Sequence, residues 1–126
     1  MNAKILIADD DPGMVRLLRM ALEPTGLIVR EAYDSVSLLT RVQREPPDLI
    51  IMDVQMPGGN GLSACEMLAS DRASARVPVI ILTGRSDQAT LDRCTALGAR
   101  HVQKGPEAVA QIKRLVQQIL SPVLAQ

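Results

Sequence analysis

The chain has 126 residues, 14 basic and 14 acidic side chains, and no phenylalanine or tryptophan. This length allows one domain around one hydrophobic core, which must be built from aliphatic side chains. The balanced, scattered charge argues against a nucleic-acid-binding surface, and no apolar run approaches the roughly 20 residues needed to span a bilayer.

Neither the N-terminus nor the cysteines indicate an exported protein. The first residues enter a predicted strand directly, without the layout of a signal peptide. Cys65 and Cys94 lack the spacing of a metal or redox motif, so we expect reduced, partly buried thiols on helices. We therefore predict a cytoplasmic protein that contacts neither a membrane nor nucleic acid directly.

Strand and helix patterns alternate from one end of the chain to the other. Strands are predicted over residues 5–8, 27–29, 49–53, 77–82 and 101–103. Helices are predicted from Pro12 to the break at Pro24, over 35–44, 62–69 and 87–97, and from Pro106 to a short tail at 121–126. Residues 57–61 are predicted to form a tight loop. Five βα units predict an α/β fold with a doubly wound parallel sheet.

Two of the predicted strands end in acidic residues. Residues 5–8 run into Asp9, Asp10 and Asp11, and residues 49–52 run into Asp53. The carboxyl ends of neighbouring parallel strands face the crevice in which open α/β sheets bind ligands. Like charges that converge there need a cation to offset them, and carboxylate oxygens suit Mg²⁺. The pattern therefore predicts a magnesium site.

Other polar residues complete the same edge. Thr83 ends the fourth predicted strand and Lys104 follows the fifth. Asp11 has a separate interpretation, because an aspartate followed by Pro12 is typical of a helix N-cap with proline at the first helical position. We therefore expect Asp11 to begin the first helix and to take no part in the chemistry.

Several segments, in this order, form a known pattern. They are residues 5–12 with Arg16, residues 53–57 followed by Asn60 and Gly61, residues 78–83, and Gly98 and Ala99 leading to Lys104. Together they resemble the CheY-like receiver domain of response regulators in bacterial two-component signalling. The resemblance covers the whole chain and implies a single receiver domain over 1–126, with a core over about 3–120. It also implies a flavodoxin-like strand order, 2-1-3-4-5, with helices on both faces of the sheet.

The resemblance implies specific roles for the acidic residues. Asp53 would be the phosphoacceptor, which takes a phosphoryl group from a sensor histidine kinase or a histidine phosphotransfer protein and becomes an aspartyl phosphate. Asp10 would bind Mg²⁺ directly, and Asp9 directly or through water. Asp53 and the backbone carbonyl of Gln55 would complete the protein's share of the coordination.

The remaining site residues would recognise and report the phosphoryl group. Lys104 would pair with one phosphoryl oxygen, and the Thr83 hydroxyl would contact another and rearrange as a switch. The response would reach a downstream protein through the face formed by helix 4, strand 5 and helix 5. Such a protein catalyses only its own phosphorylation and dephosphorylation, and it would be a monomer or a weak homodimer.

The chain departs from the family near its lysine. Lys104 is followed by Gly105 and Pro106, where family members commonly have proline and then an aromatic residue. We expect a trans bond between Lys104 and Gly105, because a cis bond costs more before glycine than before proline. His101 occupies the position of a family Tyr or Phe, so it is either a candidate switch residue or an exposed edge-strand histidine without that role.

Two other functions compete with the phosphoacceptor. One is a pseudo-receiver that acts as a constitutive protein-interaction module without phosphorylation, and the altered sequence after Lys104 keeps it open. The other is a Mg²⁺-dependent phosphatase of another α/β family. Those enzymes usually carry a second acid two residues after the nucleophile, and Gln55 stands there in this chain.

Overall fold

A computed structural model of the chain describes residues 2–56, 59–84 and 88–124. The strands of its main sheet are β1 (Lys4–Ala8), β2 (Ile28–Ala32), β3 (Leu49–Asp53), β4 (Val79–Thr83) and β5 (Arg100–Gln103). All neighbouring strands pair in parallel, in the order β2-β1-β3-β4-β5. This confirms the doubly wound α/β fold and its 2-1-3-4-5 order.

The helices between and after the strands are α1 (Pro12–Leu22), α2 (Ser35–Arg44), α3 (Gly61–Ser70), α4 (Gln88–Ala96) and α5 (Ala108–Leu124). Asp11 begins α1 as expected, since its side chain accepts a hydrogen bond from the Gly13 N–H at 2.9 Å. Asp34 caps α2 in the same way. The predicted start of the fourth helix at residue 87, and residues 57 and 58 of the predicted loop, lie outside the described residues.

Apolar side chains cover both faces of the sheet. On one face α1 and α5 pack on the strands, and on the other α2, α3 and α4 do so. Strand β3 is buried at every position, which explains why its sequence shows no polar alternation. The core is aliphatic, as the composition required. Cys65 and Cys94 are free, buried thiols on α3 and α4, which confirms their predicted state.

Several predicted boundaries were wrong. Strand β2 starts at Ile28 and runs on through Arg30 and Glu31 to Ala32, because each of these residues pairs with β1. A separate two-stranded sheet, formed by Gln55–Met56 and Gly59–Asn60, is antiparallel and lies within the segment after β3. The last helix begins at Ala108 and continues to Leu124, through most of the predicted tail.

No helix in the described part of the chain combines the length and apolarity needed to cross a bilayer.

Candidate functional site

Backbone hydrogen bonds continue past the strand ends and align the residues that follow them. The Asp9 N–H donates to the Ala32 carbonyl at 3.1 Å, one residue beyond β1. The Lys104 N–H donates to the Thr83 carbonyl at 2.7 Å, one residue beyond β5. The polar residues therefore meet at one edge of the sheet, where the sequence predicted them.

Asp9 is a buried carboxylate that is only half satisfied. Its side chain is only 1% exposed, and its Oδ1 accepts a hydrogen bond from the Asp11 N–H at 2.9 Å. Its Oδ2 is buried and accepts no hydrogen bond from the described residues. Burial raises the pKa of Asp9 to about 6, although the Asp11 N–H and the charge of Lys104 act in the opposite direction. A buried acceptor of this kind indicates a position for a positively charged ligand.

Asp53 and Lys104 form the closest charged contact at this edge. Lys104 Nζ donates to Asp53 Oδ2 at 2.7 Å and lies 3.8 Å from Asp9 Oδ2. The other oxygen of Asp53, Oδ1, accepts the Gln55 N–H at 2.9 Å. Burial lowers the pKa of Lys104, but the hydrogen bond from its ammonium to Asp53 and the charges of Asp9, Asp53 and Asp11 outweigh burial and raise it overall. Lys104 is therefore a fixed positive charge at neutral pH.

Three carboxylates at this edge fit a divalent cation. One oxygen from each of Asp9, Asp10 and Asp53 lies within 4.8 Å of the others. Small movements of these side chains would let Asp9, Asp10 and Asp53 bind one hard cation, which prefers carboxylate oxygens. Asp10 is exposed, whereas Asp9 and Asp53 are buried. Exposed acids often cluster without a metal, but two buried carboxylates with one unsatisfied oxygen are the donors that a hard cation prefers.

The other predicted site residues lie around this centre. Thr83 is buried at the end of β4, paired in register with Gln103. Gln55 is exposed two residues after Asp53, and its N–H orients that carboxylate. His101 is exposed on the edge strand β5, in register with Ile81. Their roles in recognition and switching stay predictions.

The segment after Lys104 follows the sequence-based expectation. The Lys104–Gly105 peptide bond is trans. A Cβ added at Gly105 would meet no atom within 4 Å, so the glycine fills no crowded position. The lysine reaches Asp53 with this backbone, although the proline of the family pattern is absent.

Gly61 is a site-supporting residue whose importance the sequence did not reveal. A Cβ at Gly61 would lie 2.6 Å from Val54 Cα and 2.7 Å from the Asp53 carbonyl oxygen, and both distances are closer than real Cβ atoms approach. Its N–H donates to the Val54 carbonyl at 2.6 Å. The first turn of α3 thus packs directly on the backbone that carries Asp53. In the sequence, Gly61 belonged to a stretch rich in turn-formers and to the receiver-domain pattern, but neither signal assigned it this packing role.

Comparison with known proteins decides the family. The sequence model for the response regulator receiver domain matches residues 5–118. The chain belongs to this receiver-domain family. The resemblance noted from the strand-end acids and the lysine is thereby confirmed, and we refer to the chain below as a receiver domain.

Two similar curated proteins are longer than this receiver domain. It is 36% identical over 87 residues to the DNA-binding response regulator MtrA of Mycolicibacterium smegmatis, covering 69% of this chain and 37% of MtrA. It is 32% identical over 120 residues to the alkaline phosphatase synthesis transcriptional regulatory protein PhoP of Bacillus subtilis, covering 95% of this chain and 49% of PhoP. The receiver domain thus spans less than half the length of these relatives.

A solved structure of similar size supports the same fold. The chemotaxis response regulator CheY4 of Vibrio cholerae superposes with a TM-score of 0.85 at 25% identity, over 95% of this chain and 100% of that chain. A receiver domain of this family serves phosphoacceptor signalling in two-component systems, in which histidine kinases and downstream effectors are the usual partners.

Proposed function

We propose that this receiver domain accepts a phosphoryl group on Asp53, in a Mg²⁺-dependent reaction, from a histidine kinase or a histidine phosphotransfer protein. The observation that carries the proposal is that Asp53 is a buried carboxylate whose Oδ2 accepts a hydrogen bond from the Lys104 ammonium, which also lies near the buried Oδ2 of Asp9. A carboxylate oxygen is a competent nucleophile toward phosphorus once neighbouring charge is neutralised.

The transfer exchanges one bond to phosphorus for another. An oxygen of Asp53 attacks the phosphorus of a phosphohistidine, and the bond between phosphorus and the imidazole nitrogen breaks. The electron pair of that bond returns to the imidazole, and the product is an acyl phosphate on Asp53. No proton has to move within the receiver domain for this step, so its contribution is position and charge.

We propose that Mg²⁺ is bound by the carboxylates of Asp9, Asp10 and Asp53 and by the backbone carbonyl of Gln55. The ion would offset the repulsion between these acids and the incoming phosphoryl oxygens. Lys104 supplies a further positive charge, because its ammonium lies 2.7 Å from Asp53 Oδ2. After transfer, the same ammonium can bind a phosphoryl oxygen as a point charge.

We propose that Thr83 and His101 report the phosphorylated state. Thr83 ends β4 next to the site, and His101 stands on β5 two register positions earlier, so both belong to neighbouring strands. A rearrangement of Thr83 would change the conformation of the face formed by α4, β5 and α5, where a downstream protein would bind. The domain would act in the cytoplasm, as a monomer or a weak homodimer.

The test uses a small acyl phosphate as the donor. The receiver domain is incubated with acetyl phosphate with and without Mg²⁺, and its intact mass is followed. We expect a gain of one phosphoryl group that needs Mg²⁺ and is lost in Asp53→Asn. The matched control is Asp92→Asn, an exposed acid on α4, which should be phosphorylated normally.

Two results together would overturn the proposal in favour of the pseudo-receiver. The folded wild-type domain would gain no phosphoryl group, and its amide resonances would not respond to beryllofluoride with Mg²⁺. Phosphorylation that persists in Asp53→Asn would overturn the choice of acceptor. Sustained turnover of an added phosphoester would indicate the phosphatase alternative.

A further inference from the structure

The structure contains a second concave site, away from the strand-end acids. A cavity of about 520 Å³ runs between α2 and the edge of the sheet at β1 and β2. This volume is within the range of small-molecule sites. The cavity is distinct from the proposed phosphoacceptor site, because its lining includes none of the residues of that site: Asp9, Asp10, Asp53, Thr83 and Lys104.

Basic side chains dominate the charge of this cavity. It is lined by four basic residues, Lys4, Arg30, Arg41 and Arg44, and by two acidic residues, Asp34 and Glu45. The chain as a whole has no net charge, so this local excess of positive charge is not a general property of the surface. Such a cavity favours a ligand of negative charge.

The two acids of the cavity offset only part of this positive charge and leave it with a net positive charge. Asp34 is occupied as the cap of α2, where its Oδ1 accepts the Ser37 N–H at 2.7 Å. One oxygen of Glu45 serves two cations, at 3.3 Å from Lys4 Nζ and at 4.0 Å from Arg30 Nε. A single carboxylate cannot saturate both groups, because each can donate several hydrogen bonds.

The guanidinium groups of Arg41 and Arg44 line the cavity, and the charge of Arg41 also helps to lower the pKa of Glu31 on β2. Among the described residues, neither Arg41 nor Arg44 forms an ion pair with a carboxylate. The nearby hydroxyls are already used, since Thr40 Oγ1 donates to the Val36 carbonyl at 2.9 Å and Ser37 Oγ to the Asp34 carbonyl at 3.1 Å. The donors left for a ligand are therefore mainly guanidinium groups, which match the geometry of phosphate oxygens.

The rest of the lining is apolar. Leu6 from β1 and Pro47 ahead of β3 are buried, and Val36 on the first turn of α2 is 67% exposed. An exposed aliphatic side chain beside arginines that form no close ion pair within the described part of the chain suits a ligand with an apolar or planar body and a charged end. We infer that this cavity binds a small phosphate monoester with such a body, independently of phosphorylation at Asp53.

The test uses phenyl phosphate as the probe, with EDTA present so that no metal occupies the strand-end acids. Binding is followed by amide chemical shifts of the full chain. We expect saturable shifts in α2 and at Arg30, weaker binding of inorganic phosphate, and binding that declines with salt. The same titration of Asp53→Asn should be unchanged.

Three variants test which charges bind the probe. Arg41→Ala/Arg44→Ala should weaken binding by at least about tenfold, because two charge-assisted contacts are lost. The matched control, Arg100→Ala/Arg114→Ala, removes two exposed arginines from β5 and α5, beyond the other edge of the sheet, and should change affinity by less than about twofold. Glu45→Gln should tighten binding several-fold, because it frees Lys4 and Arg30, and a folding defect could not produce that gain.

Other outcomes would overturn the inference. They are the absence of a saturable shift at millimolar phenyl phosphate, shifts confined to the surroundings of Asp53, and equal binding by Arg41→Ala/Arg44→Ala. An acidic peptide that binds the same residues more tightly than phenyl phosphate would instead make this groove a protein-docking site.

Discussion

Lys104 Nζ donates a hydrogen bond to Asp53 Oδ2 at 2.7 Å, which joins residues 51 positions apart. The Lys104 side chain is 29% exposed and that of Asp53 only 6%. Loss of the bond therefore destabilises Asp53 more than Lys104, because the charge of Asp53 stays buried beside Asp9. A bond of this kind both holds β3 and β5 together at their ends and places a positive charge at the proposed nucleophile.

We predict that Lys104→Ala destabilises the metal-free domain by about 1–3 kcal/mol, because it leaves buried carboxylates without their counter-charge. Urea unfolding at neutral pH measures this change. Mg²⁺ should restore more stability to the variant than it adds to the wild type, because the ion replaces the missing charge. Lys113→Ala, a half-buried lysine on α5, is the control. An unchanged urea midpoint in Lys104→Ala would contradict this electrostatic account.

We predict that Gly61→Ala costs about 1–3 kcal/mol in the free energy of unfolding, although alanine normally favours a helix over glycine. The added methyl group would lie 2.6 Å from Val54 Cα, so the backbone that carries Asp53 must move. Mg²⁺ affinity, measured by titration calorimetry, should fall together with stability. Gly105→Ala is the comparison, because its methyl group would enter open space. Equal stability of the two variants would refute the close packing at Gly61.

We predict a pH-dependent contribution from Glu31 on the edge strand. Tyr33 Oη and Arg19 Nε each donate to its carboxylate at 2.5 Å, and these hydrogen bonds lower the pKa of Glu31 from its ordinary 4.5. A depressed carboxyl pKa stabilises the fold above the unfolded-state value, and this stabilisation is lost as the pH falls through the folded-state value.

Glu31→Gln should therefore cost roughly 1 kcal/mol or less at neutral pH, and the difference from wild type should vanish in acid. Urea unfolding of both proteins over a series of pH values checks this. A difference that does not change below the ordinary glutamate pKa would show that Glu31 acts through packing rather than through charge.

We predict that Cys65 reacts slowly in the folded domain. Burial raises the pKa of its thiol from 9.0 to about 11, so at about pH 8 its thiolate fraction is roughly a hundredfold lower than that of an ordinary cysteine. Iodoacetamide labelling, followed by mass spectrometry, should be slow in buffer and fast in guanidinium chloride. Equal labelling rates in the two conditions would show that α3 does not protect this thiol.

Much of the fold could be predicted because its signals are local. The unbroken apolar runs of β1 and β3 reflect strands covered on both faces, and Asp11 followed by Pro12 shows where α1 begins. The boundaries of β2 could not be read in this way. Arg30 and Glu31 are polar, and they are in a strand only because an edge strand tolerates such residues while its backbone pairs with β1.

The sequence by itself determined the order of strands and helices, the aliphatic core and the acids and lysine that end the strands, because these depend on residue type and spacing along the chain. Only the tertiary structure decided that Asp9 Oδ2 is buried without a hydrogen bond from any described residue and that Lys104 reaches Asp53. It also decided that Gly61 admits no side chain and that arginines of α2 line a cavity. These properties depend on atoms brought together from distant parts of the chain, and no local pattern encodes their separation.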